Sequence, residues 1–251
     1  MIKIIFIVIC FSNIYCFSQV KSDSTKKLVN RVDVNDTLTG TIQNAIYNRP
    51  FIGFGRSSTA IGGYMEGNTN YFSQDGITEG FSMEFRRFNF FLFSSLGSRI
   101  KFISELEFEH GTKEIALETA LVDFKIHQSI NFRAGILLPQ IGSFNGNHDS
   151  PKWEIIDRPL VSTTIIPSTL SEVGFGFFGT IKSKKSLFTY DLYIVNGLQD
   201  GVILNDEGRT SIPNGKSDEM FAEDNNGTPM FNSRVAFKNR SIGEVGISYY
   251  G

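Results

Sequence analysis

Cysteine is nearly absent from this sequence. Its 251 residues include two cysteines, Cys10 and Cys16, and both fall in an N-terminal segment that we expect to be removed. The remainder would carry no thiol, which excludes a disulfide framework, a zinc-thiolate site and cysteine catalysis. Bulky Tyr15 before Cys16 argues against lipid attachment at that cysteine.

Residues 1–18 are predicted to be a cleaved export signal. Lys3 supplies a positive charge, residues 4–11 are an unbroken apolar stretch, and small side chains precede a cleavage point before Gln19. The apolar stretch is much shorter than the roughly 20 residues that a spanning helix needs. Residues 19–50 are polar, and we expect them to form a periplasmic segment that is ordered only in part.

Long hydrophobic runs are also missing. The strongest apolar stretch of the body, residues 88–93, is short, proline is scarce at 7 residues, and the mean hydropathy is −0.08. If the chain enters a membrane, it therefore has to do so as a closed sheet. The net charge of −2 gives no indication of nucleic-acid binding.

Alternation of apolar and polar residues is what the sequence does contain. Over residues 99–138 it recurs in three consecutive segments of about ten residues, as in strands of a membrane-spanning β-barrel. One face would carry Ile100, Phe102, Leu106, Phe108, Ala120, Val122, Phe124, Ile126, Ile130, Phe132, Ala134, Ile136 and Leu138. The other face would line a watery pore with Arg99, Lys101, Glu105, Glu107, Asp123, Lys125 and Arg133.

Six further strands are predicted, near residues 59–65, 81–94, 172–182, 187–195, 231–238 and 242–250. Short turns alternate with long loops over residues 139–171 and 196–230, which is the periplasmic and extracellular asymmetry of outer-membrane barrels. Because such barrels have an even strand number, a count of about nine predicts that residues 51–251 are part of a larger barrel, incomplete at the C-terminus. The alternative is a small barrel of eight or ten strands, in which the count of nine is off by one.

Two arginines interrupt the alternation in the early strand. The apolar residues Phe81, Met83 and Phe85 are at odd positions, whereas Phe88 and those after it are at even ones. A β-bulge at Arg86 and Arg87 would return the apolar side chains to one face. The pattern leaves open whether these arginines line the pore or anchor lipid headgroups at its rim.

The loop over residues 139–171 is long enough to be functional. If it folds into the pore, as constriction loops do, its polar and aromatic residues would narrow and charge the channel. The alternative is a loop packed outside, on its neighbours or at a subunit contact. The residues concerned are Asp149, Trp153, Glu154, Asp157 and Arg158.

Several short motifs occur in a fixed order between residues 81 and 181. They are Phe85-Arg86-Arg87, Glu105-Leu106-Glu107-Phe108, Ala120-Leu121-Val122-Asp123-Phe124, Asn131-Phe132-Arg133-Ala134-Gly135 with Pro139, Arg158-Pro159 and Val173-Gly174-Phe175. In this order the chain resembles the phosphate-selective porin family of Gram-negative outer membranes. The resemblance implies a trimeric barrel of about sixteen strands that selects anions through lumenal arginines and lysines. Here the interleaved glutamates and Asp123 predict a mixed field instead.

The other short motifs do not indicate a nucleotide-binding, metal-binding or catalytic site. Residues 174–179 match G-x-G-x-x-G, but another alternating strand follows where a nucleotide-binding helix is required. The three histidines share no metal-ligand spacing, and G-x-S-x-G is absent. The acidic residues Asp218, Glu219, Glu223 and Asp224 do not follow the order of an EF-hand. We expect no enzyme activity, cofactor or metal.

The sequence therefore predicts an all-β, antiparallel transmembrane barrel in a Gram-negative outer membrane. It would be a homo-oligomeric porin, in contact with lipid, that admits small hydrophilic or anionic solutes by passive diffusion. Two alternatives stay open. One is a plugged barrel that binds a partner or assists assembly, and the other is a soluble β-sandwich binding module with the phenylalanine face as its core.

Overall fold

The computed structural model describes residues 2–7, 40–53, 58–110, 113–127, 129–166, 169–216, 221 and 227–251. Within these ranges the protein is all-β, as predicted. The strands are β1 (Ile2–Ile7), β2 (Phe51–Gly53), β3 (Thr59–Gln74), β4 (Ile77–Leu96), β5 (Ile100–Glu109), β6 (Glu114–His127), β7 (Ile130–Leu137), β8 (Glu172–Lys182), β9 (Ser186–Val195), β10 (Met230–Asn239) and β11 (Gly243–Tyr250). Both cysteines, most of the predicted signal and the acids at positions 218, 219, 223 and 224 lie outside the described residues.

Helical structure is limited to short segments. One α-helical turn, Val161–Thr164, lies in the first long loop. The 3-10 helices are Ile42–Tyr47, Asn145–Asn147, Ser150–Lys152, Asp200–Val202 and Pro213–Gly215. No helix in the described ranges is long and apolar enough to cross a membrane.

All the described strands belong to one antiparallel sheet. From β3 to β11 each strand pairs with the next in the chain, while β1 and β2 both pair with β3. The nine strands predicted for the body correspond to β3–β11. Within the described residues β11 pairs only with β10, so the sheet is not closed into a barrel.

The two ends of the sheet differ. At one end, short turns join β4 to β5, β6 to β7, β8 to β9, and β10 to β11; at the other, residues 138–171 and 196–229 form long connections. This confirms the predicted asymmetry of turn and loop. The β3–β4 hairpin also projects at the long-loop end, because the last β4–β5 pair joins Arg87 to Glu109 while β4 begins ten residues earlier, at Ile77.

The predicted bulge in β4 is present. Glu66 of β3 faces Arg87, but the next residue, Gly67, faces Phe85, so Arg86 is the extra residue. Another register shift lies in β6: Glu105 pairs with Thr119 and Leu106 pairs with Leu117, so Glu118 is the extra residue. Since a one-residue shift exchanges the two faces, each bulge keeps the apolar side chains on the same side along the whole strand.

Candidate functional site

The two faces of the sheet have opposite chemistry. One face, here called the outer face, presents large apolar side chains that no described residue covers. Among them are Phe81, Phe85, Phe124, Phe175, Phe177, Phe188 and Phe237, which are between 39 and 61% exposed. Neighbouring rings on this face pack together, as Phe132 does with Phe175 and Phe177 at centroid distances of 6.3 and 5.5 Å.

The inner face carries the charged side chains, together with some buried apolar ones, and is largely covered. Two segments pack on it: residues 40–50 from one end, and the loop over residues 138–171 from the other. The Gln43 side-chain amide donates to the Tyr190 carbonyl at 2.9 Å. Ile46 and neighbouring aromatic rings form an apolar cluster with inward residues of the sheet. Residues 40–50, the end of the segment that we expect to be ordered in part, thus pack on the sheet.

Arg49 joins these two segments to the wall of the sheet. Its guanidinium lies 2.7 Å from the Glu105 carboxylate on β5 and 3.1 Å from the Asp149 carboxylate in the loop. All three side chains are almost completely buried, and the guanidinium also stacks 4.6 Å from the Phe91 ring centroid. This packing buries Glu105, so that its carboxylate does not border a solvent-filled space.

His148 and Lys152 complete this buried ion cluster from the loop side. The Lys152 ammonium donates to Asp149 at 2.6 Å and to the Ala45 carbonyl at 3.0 Å, which ties the loop to residues 40–50. The His148 ring is fully buried, with Nδ1 2.8 Å from the Asn145 carbonyl and Nε2 3.7 Å from Glu105. Asn145 in turn anchors both ends of the loop through Pro139 and Leu170.

The electrostatics of the loop groups follow from this geometry. Burial alone would raise the pKa of Asp149, but Arg49 and Lys152 hold the pKa of that carboxyl well below its usual range. Burial alone would lower the pKa of His148, yet Glu105 and Asp149 raise it above its ordinary value. Both groups are therefore stabilised in their charged forms, as partners in a buried ion cluster.

A metal ion does not fit this cluster. Ligand atoms of Glu105, His148 and Asp149 do lie within 4.8 Å of one another. The Arg49 guanidinium, however, already occupies the position between the two carboxylates. A second grouping, Glu109 with His110 and Glu114, is partly exposed near the β5–β6 turn and carries no further indication of a ligand.

A second buried pair lies further along the inner face. Arg133 donates to Asp123 through two parallel bonds of 2.6 and 2.7 Å, and its guanidinium lies 4.4 Å from the Phe178 ring centroid. Both side chains are about 5% exposed. This bidentate geometry is among the strongest that side chains form, so the pair is a structural contact inside the wall.

Arg86 and Arg87 both reach acids of the inner face. Arg86 contacts Glu66 at 3.3 Å and Asp157 of the loop at 3.0 Å. Arg87 contacts Glu66 at 3.0 Å and Glu109 at 2.9 Å. Both arginines thus lie on the polar face, where each contacts at least two acids.

These arginines border a cavity of about 380 Å³ at the long-loop end, here called the mouth cavity. It lies between the loop and the β4–β5 wall, and its lining combines three arginines, three acids and one indole ring. The lining residues are Glu84, Arg86, Arg87, Glu109, His110, Trp153, Asp157, Arg158 and Thr163.

The remaining predicted residues are dispersed. Arg99 lies in the exposed β4–β5 turn and not on a strand, because the strand begins one residue later. Lys101 is half-buried, 4.7 Å from the Tyr47 ring centroid, and Lys125 is exposed on the inner face. Glu107 is buried and accepts from Asn89 at 2.6 Å. Glu154 is an exposed loop residue outside the cavity lining.

Sequence reasoning missed the two residues that hold the cluster together, Arg49 and His148. Arg49 stands in a polar segment with no periodicity, and His148 has no partner at a fixed spacing. The only signal in the sequence was the turn-forming neighbours of each residue: Asn48 and Pro50 flank Arg49, and His148 lies between Asn147 and Asp149 in the long loop. Neither charge could be paired with Glu105 without knowing which chain segments meet.

No family model matches the chain, and no solved structure matches it. The described residues and the comparisons give no indication of a catalytic function. The chain is similar to an uncharacterized protein of Aquifex aeolicus (strain VF5), with 29% identity over 220 residues, which cover 80% of this chain and 48% of that protein. It therefore spans about half the length of the relative that it matches.

Proposed function

We propose that this chain forms the wall of an outer-membrane porin, a water-filled channel for passive diffusion of small hydrophilic solutes. The observation that carries the proposal is the opposition of the two faces. Exposed phenylalanines, leucines and isoleucines recur on one side of the sheet from β4 to β11, while the charged residues lie on the other. Exposed apolar areas of this extent mark a contact with lipid or with another protein.

Strand length and connectivity support the same conclusion. Several strands are eight to eleven residues long, and a tilted transmembrane strand needs about 9–11. Short turns at one end and long loops at the other are typical of outer-membrane barrels. The soluble β-sandwich is disfavoured because no second sheet covers the phenylalanines among the described residues.

The direct test is conductance of the native protein reconstituted in planar lipid bilayers. We expect stepwise, ohmic currents in symmetrical salt. A protein that stays soluble without detergent and produces no current would overturn the proposal.

Lys125 offers a test of which face lines the conduction path. It is exposed on the inner face, so Lys125→Glu is expected to shift the reversal potential in a salt gradient toward cation preference. Lys184→Glu, in the exposed turn between β8 and β9, is the matched control and is expected to shift it less. Equal shifts would argue that the inner face does not line the path.

A plugged barrel is the second candidate, and residues 40–50 favour it. They cross the inner face from Glu244 on β11, which accepts from the Ile42 amide at 3.2 Å, to Glu105 on β5. In a small barrel such a segment would close the lumen, whereas in a large one it would cover only part of the wall. Membrane insertion without measurable conductance would favour the plugged form.

A further inference from the structure

The charges around the mouth cavity are balanced and paired. Its lining holds three guanidinium groups and three carboxylates, those of Arg86, Arg87, Arg158, Glu84, Glu109 and Asp157. The Arg86–Asp157 and Arg87–Glu109 contacts are 3.0 and 2.9 Å. Arg158 lies 3.8 Å from Glu109 and 3.8 Å from Glu107 behind it. No arginine of the cavity is without an acid at close range.

This pairing disfavours ions of either sign as ligands. An anion placed against Arg86 would also approach Asp157 and Glu66, which already share that guanidinium. A cation placed against the carboxylates would approach the arginines. In both cases the ion would lose hydration without gaining an unopposed partner, and juxtaposed like charges cost binding free energy.

An uncharged solute with many hydroxyl groups is repelled by neither partner of an ion pair. Each hydroxyl both donates and accepts, so it can donate to a carboxylate and accept from a guanidinium N–H in the same ion pair. Carboxylate oxygens keep lone pairs beyond those used in one salt bridge, and each guanidinium has five donors. The volume of about 380 Å³ falls in the range of small-molecule sites, roughly 300–1,000 Å³.

The indole of Trp153 gives the site a fixed apolar surface. Its ring packs on Phe144 at a centroid distance of 5.5 Å, and the guanidinium groups of Arg87 and Arg158 lie 5.8 and 6.0 Å from its centroid. A sugar presents C–H groups as well as hydroxyls, and can therefore use both the ring and the ion pairs.

From these observations we infer that the mouth cavity is a binding site for uncharged polyhydroxylated solutes, such as sugars or polyols. The inference rests on the proposed function, because it names the class of solute that the channel would take up. It differs from the anion preference that the sequence resemblance implies, since here the arginines are neutralised by their neighbours.

Trp153 is the only tryptophan in the chain, so its fluorescence reports on the cavity directly. The experiment titrates the native protein in detergent with glucose and maltose, and separately with sodium phosphate at constant ionic strength. We expect a saturable change in emission with a sugar and none with phosphate. A saturable response to phosphate in the native protein, or no saturable response to either sugar, would overturn the inference.

Asp157→Asn sharpens the test. It removes one of the carboxylates that share the Arg86 guanidinium, leaving Glu66 at 3.3 Å, so the guanidinium is less opposed. We expect sugar affinity to fall by about tenfold or more, as for loss of a hydrogen bond to a charged group, and phosphate binding to become detectable. Asp206→Asn, an exposed aspartate of the second long loop, is the matched control and is expected to change neither titration.

Conductance separates this inference from the channel proposal. Sugar-dependent fluorescence without bilayer current would leave the binding site standing and contradict the channel. Current together with a response to phosphate alone would leave the channel standing and contradict the sugar site.

Discussion

At the scale of single residues, the feature that organises the inner face is a buried cationic side chain between two acids. Arg49, Glu105 and Asp149 come from three separate parts of the chain and are all buried. A buried ion pair adds little net stability compared with well-packed apolar residues, but removing one partner leaves an uncompensated charge. We therefore expect the cluster to specify which chain segments contact each other, and to add little to the free energy of unfolding.

Arg49→Met tests this role. It would leave Glu105 and Asp149 buried without their shared partner, so we expect the free energy of unfolding to fall by roughly 3–5 kcal/mol. Denaturant unfolding of the reconstituted protein measures it. Arg209→Met, which removes an exposed partner of Glu207, is the control and is expected to have no measurable effect. Equal losses of unfolding free energy in the two variants would show that the buried cluster contributes no more than the exposed ion pair.

His148 makes this stability depend on pH. Its folded pKa is raised above the ordinary value of 6.5, so its contribution is fully present below pH 6.5 and is lost as pH rises through the folded pKa. For Asp149 the folded pKa is lowered, so its contribution is present above pH 3.8 and is lost as pH falls through the folded pKa. The cluster is therefore most stabilising between about pH 4 and 6.5.

His148→Gln isolates the histidine part of this dependence. We expect the variant to be less stable than the native protein below pH 6.5, and the difference in unfolding free energy to shrink as pH rises. Thermal or denaturant unfolding at a series of pH values measures it. If the difference in unfolding free energy grew with rising pH, it would contradict a raised folded pKa of His148.

At the scale of elements, strand β8 shows how close backbone approach shapes the sheet. The G-x-G-x-x-G match lies within this strand, with Phe175 and Phe177 on the outer face. A Cβ at Gly176 would lie 2.0 Å from the Leu192 carbonyl oxygen of β9. Glycine is thus required here by a neighbouring backbone and not by a ligand.

Gly176→Ala is therefore expected to destabilise the protein. The added methyl group can be relieved only by moving β8 away from β9, and overpacking of this kind costs about 1–3 kcal/mol. The measurement is the midpoint of denaturant unfolding. Ser233→Ala on β10 is the comparison, and an equal midpoint for the two variants would argue against the close contact.

At the scale of the whole molecule, the exposed apolar surface is the property that most needs an explanation. A soluble monomer rarely leaves more than a few hundred Å² of contiguous apolar surface in water. Here it extends over successive strands on one side of a single sheet. The proposed contact with lipid would account for this surface without any additional protein.

Phe177→Arg tests lipid contact on that face. Near the middle of a bilayer, an arginine on the lipid side costs roughly 2–4 kcal/mol, whereas near the interface it costs about 0–1. Ile181→Arg lies on the same face of β8, one residue before the strand ends at Lys182, and is the matched control. We expect Phe177→Arg to impair folding into lipid vesicles and Ile181→Arg to affect it much less. Equal folding of the two variants into lipid vesicles would contradict a membrane-facing surface.

The sequence by itself determined the nine strands β3–β11, their faces and the division into short turns and long loops, but not β1, β2 or the extension of β3 to Gln74. These features are local, because a period of two residues assigns each side chain to a face, and a break in that period located the bulge at Arg86 and Arg87 before any strand pairing was known. The common face of Phe102, Phe124 and Phe132 was predictable for the same reason.

Only the tertiary structure decided which charges meet and which remain in contact with water. Glu105, Glu107 and Arg133 carry the same pattern signal as Lys125, yet they are buried in ion pairs and hydrogen bonds while Lys125 is exposed. The difference arises from residues 40–50 and the loop over residues 138–171, which cover one part of the inner face. Contacts between segments a hundred to two hundred residues apart depend on how the chain packs, and no periodicity in the sequence encodes them.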